Sequence, residues 1–181
     1  MRTICGMAIA LVLSVCLGTV RAEEVKSGPV GKIGGAFQVK AITGDKQGTQ
    51  LCYVCKFGAE ERPAVVLIFT QKADENIAKI VKSVDAVQKS NEKLGTVVVG
   101  VGGVEASDLE KLQSTHKLTT PLTVAVDKDG PAAYKLNKEA VVTVLVYKKG
   151  GAISKSFAFK DTASAAAKAA DIATAAQDIL K

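Results

Sequence analysis

The chain has 181 residues, 48% of them apolar and 23% charged, with a net charge of +6 and four cysteines. Those proportions exclude wholesale disorder, and the length fits one domain whose core is large enough to fold without staples. Aromatic residues make up only 4% and Trp is absent, so the core has to be built from Val, Ile, Leu and Ala.

Residues 1–22 (MRTICGMAIALVLSVCLGTVRA) place Arg2 ahead of an apolar run that reaches Val20 and ends in small residues. This is the pattern of a secretory signal peptide, with Val20 and Ala22 at the −3 and −1 positions and cleavage expected after Ala22. A membrane anchor competes, but the run from Ile4 to Val20 is short for a span and has no basic stop-transfer flank. Lipid attachment at Cys16 is disfavoured by Val15, where a lipoprotein signal carries a small residue. Cleavage removes Arg2, Arg21, Cys5 and Cys16. The net charge then falls to +4, and Cys52 and Cys55 are the only cysteines left. Two disulfides and a four-cysteine zinc site are thereby excluded. No later apolar segment is long enough to span a bilayer. The mature chain is expected to be soluble and exported, in a compartment that permits disulfides.

Residues 23–35 (EEVKSGPVGKIGG) read as a flexible polar lead-in. Alternation at 37–42 predicts a half-buried strand, 43–48 a turn, and 50–54 a short strand pairing back. Residues 64–70 (AVVLIFT) suit a strand buried on both faces. Asp74 is placed to cap a helix in which Ile77, Ile80, Val81, Val84 and Val87 recur at helical spacing to about Leu94, with Gly95 ending it. Residues 96–101 (TVVVGV) are the next buried strand. Ser107 and Glu110 form a capping-box pattern opening a helix to about His116. A strand at 122–126, a turn at 127–131 and a short helix through Tyr134 to Leu136 follow. Strands at 141–147 and 152–159 flank a turn at 148–151. The Ala-rich stretch 161–180, with Ile172, Ile179 and Leu180 at helical spacing, predicts a terminal helix. The alternation of strands and helices predicts an α/β layered architecture with a mixed sheet.

Taken together, the hairpin at 37–48, the strand in Arg62-Pro-Ala-Val-Val-Leu-Ile-Phe69, the segment Pro121-Leu-Thr-Val-Ala-Val-Asp127 before Ala133-Tyr134, and the hairpin at 141–151 resemble the thioredoxin-like superfamily. The likeness is to its branch of peroxiredoxins and exported thiol–disulfide proteins, and it covers residues 36–180. It implies a three-layer α/β sandwich over 36–181, with a mixed central sheet flanked by helices and an N-terminal hairpin. Two departures weigh on activity. The resemblance implies a cysteine just after the first central strand, but residues 71–76 (QKADEN) contain none, so the usual peroxidase nucleophile is missing. It also implies a cis-proline before the hairpin strand. Here residues 140–143 read AVVT, and a trans bond is expected, because a cis bond without proline costs about 2.5–4 kcal/mol.

The chemistry rests on Leu51-Cys52-Tyr53-Val54-Cys55-Lys56, a CxxC displaced upstream of the superfamily's usual position. Three readings stay open. A redox dithiol would exchange with protein thiols or disulfides. It needs a helix N-terminus or positive charge to lower a thiolate pKa. Lys56, Arg62 and Lys46 are the nearby cations, and no helix N-terminus is evident from the pattern. The resemblance implies attack by the first cysteine, Cys52. A structural disulfide would pin the hairpin to the core in a non-enzymatic binding module, with a small entropic effect for so short a loop. A Cu(I) carrier would add His116, the sole histidine, to the two thiolates, whereas two thiolates alone are too few for closed zinc coordination. Haem attachment is excluded because Lys56 stands where a histidine must follow Cys55. No cofactor is expected. The glycines of Val99-Gly-Val-Gly-Gly103 lack dinucleotide or Walker spacing and read as a strand end. Asp127 and Asp129 flank a turn and are too few for a calcium site. The basic residues are scattered without aromatic interleaving, which argues against nucleic acid.

Overall fold

The run at residues 64–70 becomes the centre of the molecule because its side chains find apolar cover on both faces. The computed structural model describes residues 25–181. The expected signal peptide, with Cys5 and Cys16, lies outside the described residues. In chain order the elements are β1 (Val39–Ala41), β2 (Gln50–Leu51), α1 (Tyr53–Ala59), β3 (Ala64–Thr70), α2 (Glu75–Ser90), β4 (Leu94–Gly100), α3 (Ala106–His116) and β5 (Leu122–Ala125). A 3-10 turn at Ala132–Tyr134, β6 (Val142–Lys148), β7 (Ile153–Phe159), α4 (Thr162–Ala167) and α5 (Ala169–Asp178) complete the chain.

The seven strands form one mixed sheet in the order β2-β1-β5-β4-β3-β6-β7. β3, β4 and β5 run parallel through helical crossovers, and the remaining pairings are antiparallel. Alternation along β3 divides the core. Ala64, Val66 and Ile68 face a layer made by α2, α3, α4 and α5. Val65, Leu67 and Phe69 face α1, the N-terminal segment and the 3-10 turn. The expected three-layer α/β sandwich is what forms. Asp74 caps α2 as expected, accepting from the amides of Asn76 (3.0 Å) and Ile77 (3.1 Å), and it also accepts from Thr162 Oγ1 (2.6 Å), tying α2 to α4.

Several boundaries differ from expectation. The strand expected to run to Val54 stops at Leu51, and a helix takes over at Tyr53. α2 ends at Ser90, and Gly95 lies inside β4 instead of ending the helix. A Cβ on Gly95 would lie 3.0 Å from the Phe57 ring, so the glycine makes room for α1. α3 starts at Ala106 with Glu105 as its N-cap, two residues ahead of the Ser107 that the Ser107–Glu110 box would place there, and no side chain caps it. The terminal helix breaks at Lys168 into α4 and α5, and Ser83 Oγ of α2 donates to the Ala169 carbonyl at the break (3.1 Å).

The lead-in read as flexible is, from residue 25 on, a strap fastened to the fold. Val25 N–H donates to the Ala158 carbonyl (3.1 Å), and Ile33 N–H to that of Gly151 (2.9 Å). Ser27 Oγ pairs with Thr143 Oγ1 (2.8 Å). Under it, Phe37, Phe69 and Tyr134 form an aromatic cluster with ring centroids 5.0–5.8 Å apart. Ile33, with Phe37 just beyond the lead-in, packs the strap against the second face.

Candidate functional site

Cys52 and Cys55 are joined as a disulfide, with their Cα atoms 5.2 Å apart. The pair opens α1. Cys52 has extended backbone angles and is the N-cap, and its sulfur accepts a hydrogen bond from the Cys55 amide at 3.1 Å. The sequence pattern hides this helix start, because the capping atom is a sulfur rather than the usual oxygen. Tyr53 and Phe57, spaced i and i+4, turn one side of α1 into the second core, with ring centroids 5.6 Å apart. That anchoring leaves Cys52 half-buried and Cys55 exposed.

The cations expected to serve the thiolates are largely committed elsewhere. Lys56 Nζ lies 3.4 Å from Asp45 and 3.6 Å from Glu60, and 5.5 Å from the centre of the Tyr53 ring. Arg62 Nε donates to Glu60 at 2.8 Å, and its Nη1 donates to the Glu92 carbonyl. The Arg62 hydrogen bond, then the charge of Lys56, holds the Glu60 carboxyl below the usual carboxylate range. Lys46 forms no ion pair among the described residues. The group in direct contact with a sulfur is therefore the Cys55 amide. Tyr53, between the cysteines, has its phenol pushed up to about 12, first by burial and then by the charge of Asp45. Its hydroxyl has no hydrogen-bond partner among the described residues.

His116 does not join the pair. It closes α3, whose buried Leu109 and Leu112 belong to the first core, whereas α1 packs on the second, so the sheet lies between them. Among the described residues, no cluster of three or more His, Cys, Asp or Glu could hold a metal ion. Asp127 accepts from the Asp129 amide (3.3 Å) within its turn, and Asp129 pairs with Lys138 (3.4 Å). β4 ends at Gly100, and Gly102 and Gly103 turn the chain.

The position after β3 is built differently from the CxxC. Gln71 stands at the end of that strand, and its Nε2 donates to the carbonyls of Lys138 (3.1 Å) and Ala140 (3.0 Å). These bonds border a small cavity of about 120 Å³ beside Phe69, Val101 and Thr143. No peptide bond is cis among the described residues.

No family model and no curated protein matches the chain in sequence. Its architecture does match solved structures. A secreted thiol-disulfide isomerase of Corynebacterium glutamicum superposes with a TM-score of 0.56 at 12% identity, over 77% of this chain and 84% of its own. A secreted disulfide oxidoreductase of Mycobacterium tuberculosis gives 0.54 at 17% identity, over 77% of this chain and 95% of its own. The peroxidoxin BcpB of the same organism gives 0.53 at 16% identity, over 83% and 97%. The chain has a thioredoxin-like fold. On this thioredoxin-like scaffold the CxxC occupies α1, ahead of the central strand, while residues 71–76 after that strand carry no sulfur. The residues that sequence reading missed here are Asp45, which reaches Lys56 across the hairpin, and Gly58, which opens the helix surface beside Cys55. A single charge in a turn and a single glycine carry no periodic signal.

Proposed function

We propose that this thioredoxin-like protein exchanges thiols and disulfides through Cys52 and Cys55. The observation that carries the reading is the placing of the bonded pair at the start of α1, where Cys52 Sγ accepts the Cys55 amide and Cys55 is exposed. A thiolate from a reduced substrate attacks Cys55 Sγ. The Cys52–Cys55 bond breaks, and Cys52 leaves as a thiolate held by the amide. The more stabilised thiolate leaves faster. The substrate's second thiol, once deprotonated, attacks its own sulfur in the mixed disulfide and releases Cys55. Two electrons pass from substrate to protein, and the two protons the substrate sheds end on the cysteine pair. Running backwards, the same steps reduce a substrate disulfide.

Export after cleavage at Ala22 is part of the proposal. The N-terminal sequence pattern supports it, and two of the matching structures are of secreted proteins. In such a compartment the partners would be protein thiols and disulfides.

The test is equilibration of residues 23–181 with glutathione buffers, followed by an insulin-reduction assay. A potential well above about −300 mV, with insulin reduced, is the expected result. A pair that stays oxidised below that potential and leaves insulin intact would make Cys52–Cys55 a structural disulfide in a non-enzymatic module.

A further inference from the structure

A groove of about 250 Å³ lies on the second face of the sheet, and Val54, from between the two cysteines, is part of its wall. Val54, Phe57 and Gly58 of α1 line it, with Ile33 of the strap, Val65 of β3 and Tyr147 of β6. Helix geometry joins this wall to the disulfide. Residues 54, 57 and 58 are spaced i, i+3 and i+4 and share one side of α1, and Gly58 is the i+3 neighbour of the exposed Cys55. A substrate chain bonded to Cys55 therefore has the groove one helical turn away.

Gly58 is unexplained by the fold. Its backbone is not left-handed, and a Cβ there would meet nothing within 4 Å. Glycine inside a helix is nonetheless less stable than alanine. What its bare Cα does is leave the wall beside Cys55 open. Gly95 is the contrast, since its missing Cβ is taken up by Phe57. The charge around the groove is positive. Lys32, Arg62 and Lys149 also line it. Arg62 and Lys149 are each bridged to a glutamate, Glu60 and Glu61, while Lys32 is exposed and forms no ion pair among the described residues.

We propose that this groove is the substrate subsite of the exchange reaction, taking an extended polypeptide thiol in which an apolar side chain and then a carboxylate follow the reacting cysteine. The apolar side chain lies against Val54, Phe57 and Ile33, and the carboxylate meets Lys32. The assignment rests on the exchange reading of Cys52 and Cys55.

Stopped-flow rates of the oxidised protein with reduced probes test it: glutathione, an acetylated Gly-Cys-Leu-Asp-Gly amide, the matching Gly-Cys-Gly-Gly-Gly amide and, for the charge variant, a Gly-Cys-Leu-Lys-Gly amide. The wild type is expected to react about tenfold faster with the Leu-Asp peptide than with the glycine peptide. Gly58→Leu, which fills the groove, is expected to bring that ratio to about one. Lys32→Glu should shift preference to a Leu-Lys peptide. Ala59→Leu, next along α1 but not on the groove, should keep the wild-type ratio. Equal rates for the Leu-Asp and glycine peptides in the wild type, or a preference that survives both groove variants, would overturn the subsite alone. Failure of the wild type to react with glutathione as well would overturn the exchange reading and the subsite with it.

Discussion

At the scale of single residues, Cys52 and Cys55 differ more than their spacing implies. Cys52 is half-buried and accepts an amide, and Cys55 is exposed one helical turn from an open groove. In the proposed exchange, access points to Cys55 as the sulfur that would meet substrate, the reverse of the order implied by the thioredoxin-like resemblance. Cys52→Ser, whose Cys55 is a free thiol, is therefore expected to attack a cysteine peptide supplied as its mixed disulfide with an aromatic thiol, displace the aromatic thiol and accumulate the protein–peptide disulfide, and Cys55→Ser to accumulate little, as read by intact-mass spectrometry. Equal trapping in both variants would remove the distinction. Tyr53, between them, makes a separate prediction. Its folded-state pKa is raised to about 12, first by burial. The folded state then keeps a proton that the unfolded chain loses near pH 10. The stability this represents is present below about pH 10 and is lost as pH rises through about 12. Burial also pushes Tyr134 and Tyr147 up, so their loss adds to the same alkaline limb. In urea unfolding between pH 8 and 11.5, Tyr53→Phe should flatten the decline above pH 10. It should also cost nothing at neutral pH, because the buried hydroxyl it removes has no hydrogen-bond partner among the described residues.

At the scale of elements, the sequence was most legible where apolar patterning ran long. α2 follows from its helical period, and β3, β4 and β6 from continuous apolar runs buried on both faces. α1 was not legible, and its absence from the sequence reading hid the helix end at the cysteines. It is seven residues long, contains a glycine, and buries only Tyr53 and Phe57, too few to show a period. Its place is decided from a distance, by Gly95 of the neighbouring strand. A Cβ on Gly95 would lie 3.0–3.2 Å from three carbons of the Phe57 ring, so the ring would have to give by a few tenths of an ångström. Gly95→Ala is expected to destabilise the protein by about 1–3 kcal/mol through overpacking. It should also speed amide exchange in α1 more than in α2. Phe57→Leu, harmful alone, should recover part of the loss in the double variant. Additive losses would mean that the ring and the glycine do not determine each other. The start of α3 at Ala106 and the break at Lys168 were illegible for a related reason. Local helix signals continue across them, and packing chooses the start of α3 and the division of α4 from α5.

At the scale of the whole molecule, the question is how much of the fold depends on the disulfide. The two cores share β3, β4 and β6 back to back, so neither can melt while the other stays intact. The disulfide touches only α1, at the edge of the second core. Closing so short a loop limits the unfolded chain by roughly 2 kcal/mol in the chain-entropy account. For a chain of this size that corresponds to a drop in Tm of about 4–8 °C on reduction. The expected calorimetric result is one cooperative transition in both states, shifted down by that amount with dithiothreitol. A reduced protein that melts in two steps, or falls by tens of degrees, would show that the pair holds the second core together. By the same cycle, folding favours the bonded form over the dithiol by roughly those 2 kcal/mol, about 40 mV for a two-electron couple. That is a modest bias on a pair whose Cys52 sulfur already has an amide waiting for its thiolate. A fold that leans only this far toward the disulfide is consistent with a pair that opens and closes while the other elements stay in place, as the proposed exchange requires.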